Sequence, residues 1–350
     1  MEAKHDLVSN IKHCVSIIVD AFGGDNSPVE IIKGSIIAIN LDQNIEITFT
    51  GDETKIKKEL SLYKYDSSRI RIVHAPEIVT NDDSPVEAIR TKKESSIVKG
   101  LLMLNSDENS HAFISAGSSG GVLTASTLLL RRIKGVTRPA LVPILPTINE
   151  SRVALIDCGA NADCKTNNLI QFAYMGVAFA KSVLNVENPR VGLLSNGAED
   201  KKGNELNKSV FPILADAKSI NFLGNVEARD ILSGDYDVIV TDGFSGNIAL
   251  KASEGVAQML FKLIKTNILE GGLRAKIGYL LLKHALKKVA KLMDYNNKGG
   301  AVLLGLEKLV IKTHGSSKAD SITAAIFQAK HIVDSNLLSS ITEEIKQLNS

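Results

Sequence analysis

Ala112-Phe113-Ile114-Ser115-Ala116-Gly117-Ser118-Ser119-Gly120-Gly121 runs into Val122–Leu130, passing from an apolar stretch through a glycine- and serine-rich turn to a helical pattern. The short run Ala112–Ser115 predicts a strand buried on both faces. In the turn, glycines let the backbone approach a ligand and aim N–H groups at it. The helix start adds about half a positive charge, and the serines add hydroxyl donors. This is chemistry suited to an anion. The turn is neither a GxGxxG fingerprint nor a Walker A loop, which would need Gly-Lys followed by Ser or Thr.

The same strand–loop–helix order repeats on either side. Val15–Asp20, Ile45–Thr50, Ile70–His74, Val153–Asp157, Val191–Leu194, Asn221–Leu223 and Val238–Thr241 are Val- and Ile-rich strand candidates. The intervals between them suit crossover helices, so the expected class is α/β, with a largely parallel, multi-layered sheet and helices on both faces. No strand is expected from Phe244 to about Asn297, where Ser253–Lys265 and Lys276–Met293 read as helices split by Glu270-Gly271-Gly272. Strands return at Ala301–Leu304 and Lys308–Lys312, and a closing helix starts near Lys318. The expected organisation is a short extension (1–14) and one α/β body (15–350) carrying a helical excursion at 260–298.

Three further loops resemble the first in type: His314-Gly315-Ser316-Ser317, Asp157-Cys158-Gly159-Ala160-Asn161-Ala162-Asp163-Cys164-Lys165, and Asp242-Gly243-Phe244-Ser245-Gly246-Asn247. Loops after parallel strands are where open α/β sheets keep their ligands, so the four are expected to line one crevice. Two helix starts are nearly identical, Asp25-Asn26-Ser27-Pro28-Val29-Glu30 and Asp82-Asp83-Ser84-Pro85-Val86-Glu87. Each reads as a capping box with Ser at N-cap, Pro at N1 and Glu at N3. Cations for a phosphate are available in Arg90-Thr91-Lys92-Lys93, where helical spacing would put Lys92 or Lys93 on a face with Ser96. Arg132 and Arg138 are further candidates.

Composition narrows the classes. With 44% hydrophobic and 23% charged residues the chain folds rather than staying disordered. A net charge of +2 argues against a uniformly basic nucleic-acid binder, and no Trp with 5% aromatics supplies little base stacking. Cys14, Cys158 and Cys164 make no disulfide framework and no paired zinc motif, which fits a reducing compartment. No HExxH and no long uncharged apolar run is present, so metalloprotease and membrane-spanning readings find no support. No metal site is expected.

The motifs together resemble one bacterial family, the phosphate acyltransferases (acyl-acyl-carrier-protein:phosphate transacylases). The carriers are Val19–Asp25, His74-Ala75, Glu77, Arg90, Lys92-Lys93, Ser95-Ser96, Ser115-Ala116-Gly117 and Arg138-Pro139-Ala140. They continue through Asp157, Gly159-Ala160-Asn161, Asp163-Cys164-Lys165, Gln171-Phe172-Ala173, Met175-Gly176 and Lys202-Gly203-Asn204. Gly224-Asn225, Arg229-Asp230, Asp242-Gly243-Phe244, Gly246-Asn247 and His314–Ser317 complete the series. Ser118-Ser119 stands where the family usually has Asn-Thr, and Ala228 where it has Gly. The resemblance covers about 15–330. It implies a fold akin to phosphate acetyltransferases and isopropylmalate-type dehydrogenases, a homodimer without cofactor, and a cytoplasmic protein associated peripherally with membrane. The implied reaction moves a fatty acyl group from acyl carrier protein to inorganic phosphate, giving acyl phosphate for phospholipid synthesis.

Phosphate would itself be the nucleophile, so the chain need only hold the anion, orient it and stabilise the oxyanion. Phosphate and substrate binding is expected from Asp20, Gly23, Gly24, Asp25, Arg90, Lys93, Ser115, Gly117, Ser118, Ser119, Ser316 and Ser317. Lys165, Asn161, Asp242, Asn247 and His314 are expected at the reaction centre. Residues 262–298 hold nine Lys or Arg against two acids, a net +7 that leaves −5 on the rest of the chain. There Tyr279, Leu282, Leu286, Val289 and Met293 form an apolar stripe beside Lys276, Lys283, Lys287 and Lys291. A basic amphipathic helix of this kind suits an anionic membrane surface or an acidic partner such as acyl carrier protein. A coenzyme A-dependent phosphate acetyltransferase and a non-catalytic carrier-protein or membrane scaffold are the competing readings.

Overall fold

The chain alternates strands and helices. It begins with β1 (Val15–Asp20), α1 (Val29–Leu41), β2 (Ile45–Gly51), α2 (Glu53–Leu60), β3 (Ile70–His74), α3 (Pro85–Thr91), α4 (Ser96–Ser106), β4 (Ser110–Ser115) and α5 (Ser119–Leu129). It continues with β5 (Ala140–Val142), β6 (Ile144–Pro146), β7 (Arg152–Ile156), α6 (Thr166–Val183), β8 (Arg190–Ser195), α7 (Glu205–Asp216), β9 (Asn221–Glu227) and β10 (Val238–Val240). Then come α8 (Gly243–Glu270), α9 (Gly272–Met293), β11 (Ala301–Leu304), β12 (Leu309–Lys312), α10 (Ala319–Asp334) and α11 (Leu337–Leu348). This computed structural model describes residues 14–293 and 299–348. Most of the expected N-terminal extension, Asp294 and Lys298 of the basic segment, and the side chains of Lys291 and Met293 lie outside the described residues.

Two compact units emerge, one from the chain up to Leu130 with Lys308–Asp334, the other from Arg131–Glu307 with the residues from Ser335 onward. In the first, β3-β2-β1-β4-β12 pair side by side, all parallel. Phe49, Phe113, Ile17 and Ile18 are fully buried there, each worth about 1.5–3 kcal/mol over exposure. In the second, β6-β7-β10-β8-β9 form a sheet that is parallel apart from its antiparallel β6–β7 edge, and β11 pairs antiparallel with β5. Helix α6, with Phe172 and Phe179 fully buried, packs on β7 and β10. The expected α/β class, mostly parallel with helices on both sides, is borne out.

Several local expectations need correction. The first capping box does not form. Ser27 Oγ donates to Gly24 O at 2.8 Å, α1 starts at Val29, and Glu30 Oε2 accepts from the Ala319 N–H at 2.8 Å, serving α10 instead. At α3, Ser84 and Pro85 stand at N-cap and N1 as expected, but the Ser84 side chain makes no capping bond. Lys92 and Lys93 share no helical face with Ser96, because α3 ends at Thr91 and α4 begins at Ser96. The run 242–247 is no loop: Asp242 is the N-cap of α8, which starts ten residues before the expected Ser253. Strands β5 and β6 and helix α11 were not anticipated from sequence.

Candidate active site

In the first unit, the loops after β1, β4 and β12 converge. Asp20, 1% exposed, accepts from the Phe22 N–H at 3.1 Å and from the Ser115 hydroxyl at 2.6 Å. Ser115 Oγ in turn accepts from the Gly117 N–H at 3.0 Å, closing the turn on itself. Burial pushes the Asp20 carboxyl up, against the opposing hydrogen bonds from Ser115, Ser96, Phe22 and Gly23. Only glycine fits at 23, where a Cβ would lie 2.6 Å from both Asp20 Oδ2 and Gly117 N. The Asp25 N–H donates to Gly315 O at 2.8 Å, and Asn26 Nδ2 donates to Ser316 O and Ser317 O at 3.1 and 3.2 Å. A Cβ on Gly24, whose φ is +89°, would meet Gly315 O at 2.8 Å. The Thr313 N–H reaches Ser115 O at 3.0 Å, and His314 Nδ1 lies 2.8 Å from Ser316 Oγ.

Helix α5 opens directly from this cluster. Ser118 caps it, its Oγ 3.4 Å from the Gly121 N–H, and Ser119 is exposed at its first position. Asp20, Gly23, Gly24, Asp25, Ser115, Gly117, His314, Ser316 and Ser317 are therefore brought together, with Ser118 and Ser119 continuing the same turn. The cations expected near them are placed differently. Arg90 and Lys93 are exposed, and Lys93 Nζ turns back to Ile89 O at 3.1 Å. Lys92 is held in the fold, with Nζ 2.6 Å from Asp83 Oδ2 and 2.9 Å from Ile78 O. The Lys92 ammonium and the Thr80 N–H keep the Asp83 carboxyl down to about 2.

In the second unit, Asp157 organises the other two motifs. Its carboxylate is fully buried and accepts from the N–H groups of Leu141 (2.9 Å), Ala160 (3.1 Å) and Asn161 (2.8 Å) and from Asn161 Nδ2 (2.8 Å). Asn161 Nδ2 also donates to Pro139 O at 2.7 Å, and the Gly243 N–H donates to Asn161 O at 2.8 Å. This seats the first turn of α8 on the 157–161 loop. A Cβ on Gly246 would lie 2.0 Å from Asp157 O, so no larger residue fits that approach. Asp242 accepts from the Ser245 N–H and hydroxyl at 2.8 and 2.9 Å. Asn247 is exposed beside Gly159, and Arg138 donates to Asp163 O at 3.0 Å. Lys165, the N-cap of α6, is exposed and gives its backbone N–H to Asn168 Oδ1 at 2.8 Å.

The cysteines are poor nucleophiles. Burial raises the Cys158 thiol well above its ordinary range and the Cys164 thiol to about 11. Among the described residues no group of three or more His, Cys, Asp or Glu side chains is arranged to hold a metal ion. Sequence reasoning left two buried groups out of the candidate site. Asp157 opens one of the four loops and is among the residues that carry the resemblance, but it was given no role at the site. Lys312, 8% exposed at the end of β12, read as part of a strand pattern.

The fold is of the phosphotransacetylase class. A phosphotransacetylase from Streptococcus pyogenes matches 91% of this chain and 94% of its own, with a TM-score of 0.59 at 15% identity. A branched-chain phosphotransacylase from Enterococcus faecalis V583 matches 91% and 99%, with a TM-score of 0.55 at 13% identity. Residues 15–340 match the family described as "Fatty acid synthesis protein", and the chain belongs to that family. Similar relatives include a phosphate acyltransferase of Clostridium novyi (strain NT), 47% identical over 95% of this chain and 99% of its own. Another is a phosphate acyltransferase of Bacillus subtilis (strain 168), 45% identical over 95% and 98%. The chain is an acyltransferase.

Proposed function

We propose that this enzyme transfers a fatty acyl group from the thioester of acyl carrier protein to inorganic phosphate, giving acyl phosphate for phospholipid synthesis. A phosphate oxygen attacks the thioester carbonyl; the C–O bond forms, the C–S bond breaks, and the carrier thiolate leaves and takes up a proton. The observation that carries the reading is the closure of the 115–121 turn by Asp20, Ser115 and Gly117 at the start of α5. Because the Ser115 hydroxyl donates its hydrogen bond to Asp20, its part is to fix the turn. Contact with phosphate falls to Ser118, Ser119 and the first N–H groups of α5, donors aimed where negative charge sits. Lys165, Asn161, Asp242, Asn247 and His314 are assigned to the reacting atoms, and Arg90 and Lys93 to a phosphate of the substrate or the carrier's prosthetic arm.

The same reading makes the protein a cytoplasmic homodimer that docks on anionic membrane through α9. Among the described residues no helix is long and apolar enough to cross a membrane. Support for docking comes from Leu282 and Val289, which are exposed beside Lys283 and Lys287. Incubation of acyl carrier protein thioester with phosphate, followed by hydroxylamine, is expected to give the acyl hydroxamate in a phosphate-dependent way. Product from the coenzyme A thioester alone would move the assignment to an acetyltransferase-like donor, and none from either would leave a scaffold.

A further inference from the structure

At the C-terminal ends of the parallel strands of the first unit, four buried polar residues stand in one row. Thr50 pairs with Asp20 across β2 and β1, Asp20 accepts from Ser115 on β4, and Ser115 pairs with Lys312 on β12. Registered residues on neighbouring parallel strands point to the same face, so Ser115 stands between a carboxyl and an ammonium. Each of the four is less than a tenth exposed. A buried ammonium costs several kcal/mol in lost hydration, offset only by pairing and hydrogen bonds. Leucine or isoleucine would fill the same place without that cost.

The Lys312 ammonium donates to Thr313 O, at the head of the 313–317 loop. That loop carries two hydroxyls, Thr313 Oγ1 and Ser317 Oγ, that are buried and have no hydrogen-bond partner among the described residues. A third such hydroxyl, Thr50 Oγ1, belongs to the row itself. Three spare hydroxyls beside a buried cation, at the carboxyl ends of parallel strands, make a place suited to acceptor oxygens. Burial also drives Asp20 toward its neutral acid, which weakens the negative charge in the row.

We propose that Lys312 is a phosphate-binding residue, the buried cation that holds the anion against the loops following β1, β4 and β12. The inference rests on the phosphate-transfer reading above and adds a buried cation to the exposed Arg90, Lys93 and Lys165 that the reading already assigns. Lys312→Met and Lys312→Arg are compared with wild type for the rise in unfolding temperature caused by inorganic phosphate, and for the KM of phosphate and of the acyl thioester. Lys312→Met is expected to lose the phosphate response and raise the phosphate KM at least tenfold, with the thioester KM within about twofold. Lys312→Arg is expected to fall between the two. A Met variant that binds phosphate within twofold of wild type overturns the assignment. Should the Met variant fail to fold, the Lys312 ¹⁵Nζ resonance of the wild-type protein is followed on adding phosphate, and no perturbation overturns it equally. Hydroxylamine trapping reads the transfer reaction separately: a chain that binds phosphate through Lys312 but makes no acyl phosphate would refute the reaction and keep the site.

Discussion

Asp20 shows how a residue's meaning changes between sequence and fold. In sequence it is the polar end of an apolar strand, visible as a ligand candidate. Its hydrogen bond to Ser115, 95 positions later, exists only because β1 and β4 pair. Lys312 was missed for the related reason that burial of a charge depends on register across strands. The Asp20 environment makes a pH prediction. Its native carboxyl is raised above the ordinary value of 3.8, so it contributes stability that is full below 3.8 and lost as pH rises through the raised native value. Asp20→Asn removes this titration. The stability advantage of wild type over the variant, from urea denaturation between pH 4 and 7, should shrink as pH rises. A difference that stays constant over the whole range would rule the titration out.

Among the elements, α8 was the least legible. Gly243 and Gly246 look like helix breakers, which pushed the expected start to Ser253, yet they are the residues that let the first turn approach Asp157. Close packing overrode propensity. Strands β5 and β6 have three residues each, too few to show a period, and Pro143 and Pro146 disguise them further. Asn336, at φ +54°, separates α10 from α11 at a point where the sequence offers neither Gly nor Pro. The N-cap role of Asp242 gives a discriminating experiment. Asp242→Ala should cost about 1 kcal/mol of stability, whereas Asp242→Asn keeps a capping oxygen and loses only a few tenths. Activity separates the roles: a chemical part for the carboxylate requires the Asn variant to lose at least tenfold in kcat. An Asn variant with wild-type turnover would leave Asp242 as a cap alone.

For the whole molecule, the α/β class was legible in the sequence, but not how α9 presents its apolar residues. The expected stripe divides. Leu282 and Val289 are exposed, whereas Tyr279 and Leu286 line an apolar groove of about 630 Å³ between α8 and α9, with Phe261 and Ile264 opposite. Leu273, Ile277, Leu280 and Leu281, outside the stripe, are at least half exposed, so the apolar surface is broader than a single helical face. Membrane docking therefore predicts that Leu281→Glu with Leu282→Glu reduces sedimentation with anionic vesicles at least fivefold, leaving acyl transfer in solution intact. Binding by the parent chain should also weaken with added salt. Sedimentation unchanged by the double substitution would exclude this surface.

The return of β12 and α10 to the first unit sets a schedule for synthesis. Strand β4 keeps an open edge until β12 covers it, and α1 lacks α10, which packs against it. A ribosome must add the whole intervening segment, Arg131–Glu307, before that gap can close. The nascent N-terminal part thus spends roughly ten seconds or more with an unfilled strand position, at a synthesis rate of about 5–20 residues per second. That interval is when chaperone capture or edge-to-edge aggregation has its opportunity.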